Sequence, residues 1–184
     1  MTKIISIALT GHRPNKLGGY NMEQPSYQKL QQHLQQIIVK QFDEFDIVVG
    51  HSGLALGADT VWTKAILAVK EQHPERVVFH AEIPCMEQSQ PWFKQSDIDF
   101  WQHSVTSADL ATVYGSLAEI PNIKDPKRIK LASQLLKERN VGMMSHADWV
   151  LAIHDGTPGG TSHAVKYCND KSIPVHTIDP KLFF

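Results

Sequence analysis

The sequence predicts a three-layer α/β fold, a mainly parallel sheet with helices on both faces. Two observations carry that reading. Short apolar runs rich in β-branched residues alternate with longer segments of 3.6-residue apolar periodicity, and the loops after the apolar runs hold Gly and Pro. Alternation along the whole chain belongs to parallel sheets whose crossover helices cover both faces.

Ile4 to Leu9 form a buried first strand that runs into Thr10-Gly11-His12-Arg13-Pro14, where Gly and Pro break the pattern. Tyr27, Leu30, Leu34, Ile37, Ile38 and Phe42 then recur at three- and four-residue intervals on a Gln-rich background, the mark of an amphipathic helix. Ile47 to Val49 is a second strand. Gly50-His51-Ser52-Gly53 and Gly57-Ala58-Asp59 follow it and lead into a helix through Trp62, Ala65, Ile66 and Val69. Val77 to Phe79 is a third strand ending near Pro84, followed by a helical pattern from Gln90 to Ser104. Leu110 to Tyr114 reads as the fourth strand, with loop character from Tyr114 to Pro126 and a helix from Arg128 to Ser145. Trp149 to Ile153 is the fifth, Ser162 to Asn169 a helix, and Ile173 to Ile178 the last strand. There is no internal repeat.

The 184 residues match one domain spanning 1–184. A hydrophobic share of 42% with 11 Gly excludes a disordered or fibrous chain. Eighteen Lys and Arg against 19 Asp and Glu give a net charge of −1, so there is no global positive field. Nucleic acid and anionic membranes are therefore unexpected partners, and any phosphate affinity must be local. Cys85 and Cys168 suggest neither a disulfide framework nor a metal knuckle, in keeping with a cytoplasmic location. The first nine residues lack a signal-peptide pattern and no stretch approaches 18 apolar residues, so neither secretion nor membrane spanning is expected.

Ligands of open parallel sheets bind beyond the carboxyl ends of the strands, where loops and helix N-termini present backbone N–H groups. Three loops have that character. In the first, Thr10, Gly11 and His12 precede Arg13, whose planar fork holds phosphate or carboxylate by paired hydrogen bonds. In the second, Gly50, Gly53 and Gly57 lead to Asp59, which either caps the helix or accepts from a ribose hydroxyl; neither a dinucleotide fingerprint nor a P-loop is present. In the third, Asp155-Gly156-Thr157-Pro158 leads to Gly159 and Gly160, with Thr161 and Ser162 in the first helical turn, ready to meet a phosphate with N–H groups and two hydroxyls.

The run Glu138-Arg139-Asn140-Val141-Gly142-Met143-Met144-Ser145-His146-Ala147-Asp148, then an apolar strand and Gly159-Gly160-Thr161, resembles the SLOG superfamily of LOG-type phosphoribohydrolases, DprA-like proteins and the YpsA group. Thr10 to Pro14 with Leu17-Gly18, Gly53 to Asp59, and Arg139-Asn140 with Met143 resemble the YpsA group most closely. The resemblance implies a Rossmann-like fold that binds a nucleotide or nucleotide-derived ligand, such as ADP-ribose, NAD or a nucleoside monophosphate, as sensor, carrier or sequestering protein. It also implies an alternative, N-glycosidic hydrolysis, in which Arg139 matches the Arg of the LOG-type Glu-Arg motif. Ser162, His163, Ala164 and Val165 after Thr161 leave no carboxylate where that family places its Glu. Asp155 is then the candidate carboxylate, since oxocarbenium character on ribose needs nearby negative charge.

Ten His show no zincin or finger spacing, so no protein-bound metal and no required cofactor is expected; Mg accompanying a bound pyrophosphate is compatible. Lys124, Lys127, Arg128, Lys130, Lys137 and Arg139 crowd one stretch, which reads first as a solvated helix face. A third alternative, a DprA-like nucleic-acid module, lacks aromatic platforms beside those charges. Trp92, Phe93, Phe100 and Trp101 lie at helical spacing as core or subunit contacts, Trp92 being the one placed to stack on a base, and they admit a homodimer.

Overall fold

The computed structural model describes residues 1–184. In it β1 (Ile4–Gly11), β2 (Ile47–Ser52), β3 (Val77–Cys85), β4 (Leu110–Gly115), β5 (Trp149–Ile153) and β6 (Val175–Ile178) form one sheet. Every pairing is parallel, and the strand order is β4-β3-β2-β1-β5-β6. Between the strands lie α1 (Pro25–Lys40), α2 (Ala58–Gln72), α3 (Gln95–Ser107), α4 (Pro126–Ser145) and α5 (Gly160–Asp170).

The order explains the layers. β1 to β4 step one way across the sheet, and the chain then crosses back to set β5 beside β1. Right-handed crossovers place α1, α2 and α3 on one face and α4 and α5 on the other. The result is the three-layer, Rossmann-like α/β architecture. β1 and β5 are central strands covered on both faces, so Ile7, Ala8 and Leu9, like Val150 to Ile153, are wholly buried whatever face they take. α1 turns Tyr27, Leu30, Leu34 and Ile38 inward and its glutamines outward. The C-terminal Phe184 docks on that helix, its ring edge-on to Tyr27 at 4.8 Å between centroids.

Several boundaries depart from the sequence reading: β1 runs on through Gly11 and β2 through Ser52, so that Thr10, Gly11 and Gly50 to Ser52 are strand rather than loop. α3 begins at Gln95 rather than Gln90, because the Gln88 N–H bonds the Cys85 carbonyl and the Trp92 N–H the Ser89 carbonyl, closing turns around Pro91. β6 begins at Val175 rather than Ile173, since Pro174 has no N–H to give a ladder. No helix is long and apolar enough to cross a membrane.

Connections leave β1 and β5 in opposite directions, which opens a crevice beyond their carboxyl ends. That crevice is where the predicted loops converge.

Candidate functional site

The crevice between the β1 and β5 loops is a cleft of about 450 Å³. Its walls bring together Thr10 and Gly11 from the end of β1, His12 and Arg13 from the loop after it, Asp59 from the first turn of α2, Arg139 from α4, Gly159 from the loop after β5, and Gly160 and Thr161 from the first turn of α5. Lys16 and Lys137 line it as well, so four cations face one carboxylate, Asp59.

Arg139 organises the floor. Its Nη1 donates to Asp59 Oδ2 at 3.2 Å, and both side chains are buried. The guanidinium lies across Gly53, where any Cβ would collide with it; this close approach is what that Gly provides. Nε of Arg139 is buried without a partner. Asp59 thus serves as the counter-ion of Arg139 and caps nothing, for no side chain caps α2. Gly57 is required on two counts: its φ is 103°, and a Cβ there would meet the His12 carbonyl, which accepts the Ala58 N–H.

Arg13 stands at the rim, exposed on one side and crowded by protein on the other. Burial lowers its pKa, opposed by Asp59 and assisted by Arg139. Lys16 latches the first loop to the third, donating to Thr157 Oγ1 at 2.7 Å and to the Pro158 carbonyl at 3.2 Å. At the N-terminus of α5 the first helical bond is His163 N–H to the Gly159 carbonyl at 3.1 Å. The N–H groups of Gly160, Thr161 and Ser162 therefore have no helical acceptor and carry the positive end of the helix dipole.

The remaining candidates lie outside the cleft lining. Gly50 sits within β2 and gives room to Ile66. Ser162 turns its hydroxyl away to the Thr157 carbonyl at 2.8 Å, leaving Thr161 to line the cleft alone. Asp155 is held by His12, whose Nε2 is 2.7 Å from Oδ1, and accepts from the Thr157 N–H and hydroxyl. The Thr157 hydroxyl and N–H, then His12, hold its carboxyl well below the usual range. His154 beside it is lowered by burial and by His12.

The basic stretch is not one solvated face. Arg128 is buried and donates to the carbonyls of Leu117 and Ile120 and to Gln90, tying down the loop after β4. Lys137 instead reaches the cleft with Ser133, Leu136 and Asn140, one face of α4 at helical spacing. That periodicity was the signal by which Ser133, Lys137 and Asn140 were readable. Arg13, Ser133 and Leu136 are shared with a second, more apolar pocket of about 460 Å³ that includes Pro84, Gln88, Trp92 and Ile129.

No protein-family model matches this chain, and no curated protein sequence matches it. Among solved structures, DNA processing protein A from Helicobacter pylori, described for its single-stranded DNA binding mode, is similar with a TM-score of 0.60 and 16% identity. The likeness covers 96% of this chain, which spans 66% of that one. The chain therefore shares the fold of a DprA-like protein. This finding corrects the expectation that nucleic acid is an unexpected partner, since a protein that shares this fold is described for binding single-stranded DNA. The physical reason is that a net charge of −1 averages over the molecule, whereas four cations meet in one cleft.

Proposed function

We propose that this chain binds single-stranded nucleic acid, with backbone phosphate in the cationic cleft and a base in the adjoining apolar pocket. The observation that carries the reading is the convergence of Arg13, Lys137 and Arg139 on the uncapped N-terminus of α5. A phosphate there meets backbone N–H groups, the helix dipole and the Thr161 hydroxyl, with Arg13 and Lys137 beside it. Trp92 and Leu136 in the neighbouring pocket offer the flat apolar surface on which a base stacks. The fold-wide likeness to a single-stranded DNA binding protein supports the same reading.

Polarisation of a labelled oligothymidylate, titrated with protein across a salt series, tests it. Binding that weakens with salt and is lost in an Arg13→Ala, Lys137→Ala double variant is expected. Salt-independent or absent binding removes the reading.

A second reading is favoured by one observation: the cleft volume, about 450 Å³, suits a single nucleotide. In that case the ligand is a free nucleotide or nucleotide conjugate, held as by a YpsA-like sensor or carrier. Calorimetric titration with adenine nucleotides, NAD and ADP-ribose separates the two.

A further inference from the structure

Away from the cleft, on the sheet face covered by α4, several polar side chains gather around Glu82. Parallel register sets His51 of β2 opposite His80 of β3, and Glu82 lies two residues further along on the same face. His146, at the C-terminal end of α4, completes the group. Glu82 is wholly buried. Its Oε1 lies 3.0 Å from Nδ1 of His51, 3.0 Å from Nδ1 of His146 and 3.8 Å from Nε2 of His80. The Tyr114 hydroxyl donates to Oε2 at 2.8 Å. Nε2 of His51 is buried and has no partner.

A carboxylate taken out of water is costly unless it is paired with a cation or coordinates a metal. Every ion-pairing partner of Glu82 is a histidine, and no Lys or Arg reaches it. Neutral imidazoles satisfy its hydrogen bonds but bring no countercharge. Imidazole nitrogens with one carboxylate oxygen are, however, the donor set of zinc, with bonds of about 2.0–2.2 Å and ligand atoms therefore about 3.4 Å apart in a tetrahedron. The three distances to Oε1 bracket that separation, and single ligand atoms of His51, His80 and Glu82 lie within 4.8 Å of one another. Tyr114 on the second oxygen matches the outer partner that orients a ligating carboxylate. The His146 side chain is 46% exposed, which gives an ion a way in.

We propose that His51, His80, Glu82 and His146 bind a divalent transition-metal ion of the zinc type, joining β2 and β3 to the end of α4. His80 then exchanges its 2.8 Å bond with the Thr112 hydroxyl for the metal. His51, His80 and Glu82 supply three ligand atoms already within 4.8 Å of one another, and the half-exposed His146, whose ring stands 6.0 and 6.1 Å from those of His51 and His80, turns inward to close a structural shell as the fourth; three imidazoles select against Mg. The site is independent of the nucleic-acid reading.

The test uses the untagged full chain, stripped with chelator and titrated with Co2+ and then Zn2+. One equivalent of Co2+ is expected, with the visible ligand-field bands of tetrahedral coordination, displaced by Zn2+, and with a raised thermal midpoint. His146→Ala, at a half-exposed position, should keep the circular dichroism of the fold and weaken Co2+ binding by more than the roughly 10–100-fold that loss of an outer partner costs. Glu82→Gln should lose the bands, and His103→Ala should keep them. Failure of the wild type to bind one equivalent overturns the proposal, as do bands that survive in both His146→Ala and Glu82→Gln.

Discussion

The guanidinium of Arg139 lies across the bare backbone of Gly53 and donates to Asp59 at 3.2 Å, so a residue of α4 is held against the first turn of α2 beneath the cleft. Removing one partner of a buried pair strands the other charge, a loss of about 3–5 kcal/mol. Asp59→Ala is therefore expected to lower unfolding free energy by that order in urea melts. Gly53→Ala should lose stability as well, because its Cβ displaces the guanidinium; wild-type stability in both variants would show that the pair holds nothing.

Arg13 and Lys137 differ from Arg139 in standing at the cleft rim, where they carry charge without tying elements together. Each single Ala variant should leave stability within about 0.5 kcal/mol of wild type. Each should also reduce the slope of log affinity against log salt for oligothymidylate by about 0.7, the share of one phosphate contact on a single strand. An unchanged slope in both would place the strand elsewhere.

Much of this arrangement was legible in the chain. Each strand was visible as an apolar run and each loop that leads toward the cleft as a Gly-bearing break after it, because those signals are local. The strand order was not, since nothing near β5 says that the chain will cross back to lie beside β1. The same limit hid Lys16, whose role depends on Thr157 and Pro158, 141 and 142 residues away. It also hid the group around Glu82: His51 and His80 meet through strand register, and His146 through the length of α4. Asp59 shows the opposite case, a residue singled out by position whose partner, Arg139, only the fold supplies.

Trp92 lines the apolar pocket that shares Arg13 with the cleft. Stacking of a base on an aromatic ring is worth about 1–3 kcal/mol, which is roughly 5- to 150-fold in affinity. Trp92→Ala should weaken oligothymidylate binding within that range and leave the salt slope intact, since no phosphate contact is lost. Full affinity in this variant would remove the pocket from the binding surface.

Asp155 holds the third loop through Thr157 and His12, and those bonds keep its carboxyl below the ordinary value of 3.8. A lowered folded pKa means that the unfolded chain takes up the proton first. The stability it contributes is therefore complete above pH 3.8 and is lost as pH falls below that value. Thermal midpoints measured against pH should fall less steeply in this acid range for Asp155→Asn than for wild type. Parallel profiles would show that the carboxylate is free in solution.

Hydrolysis of an N-glycosidic bond needs negative charge beside the ribose and a proton or positive group for the departing base. Asp59 is the single acidic residue lining the cleft, and Arg139 already neutralises it. Asp155 keeps the negative charge that role asks for, but it lies outside the lining, where its carboxylate is taken up by Thr157 and His12 rather than turned to a ligand in the cleft. The expected outcome is that chromatography of nucleoside monophosphates, NAD and ADP-ribose incubated with the protein shows no free base above the protein-free control. Repeated release by the wild type that disappears in Arg139→Ala would instead make the chain an enzyme, with the Arg139 and Asp59 pair as the place where its charge is redistributed on substrate binding.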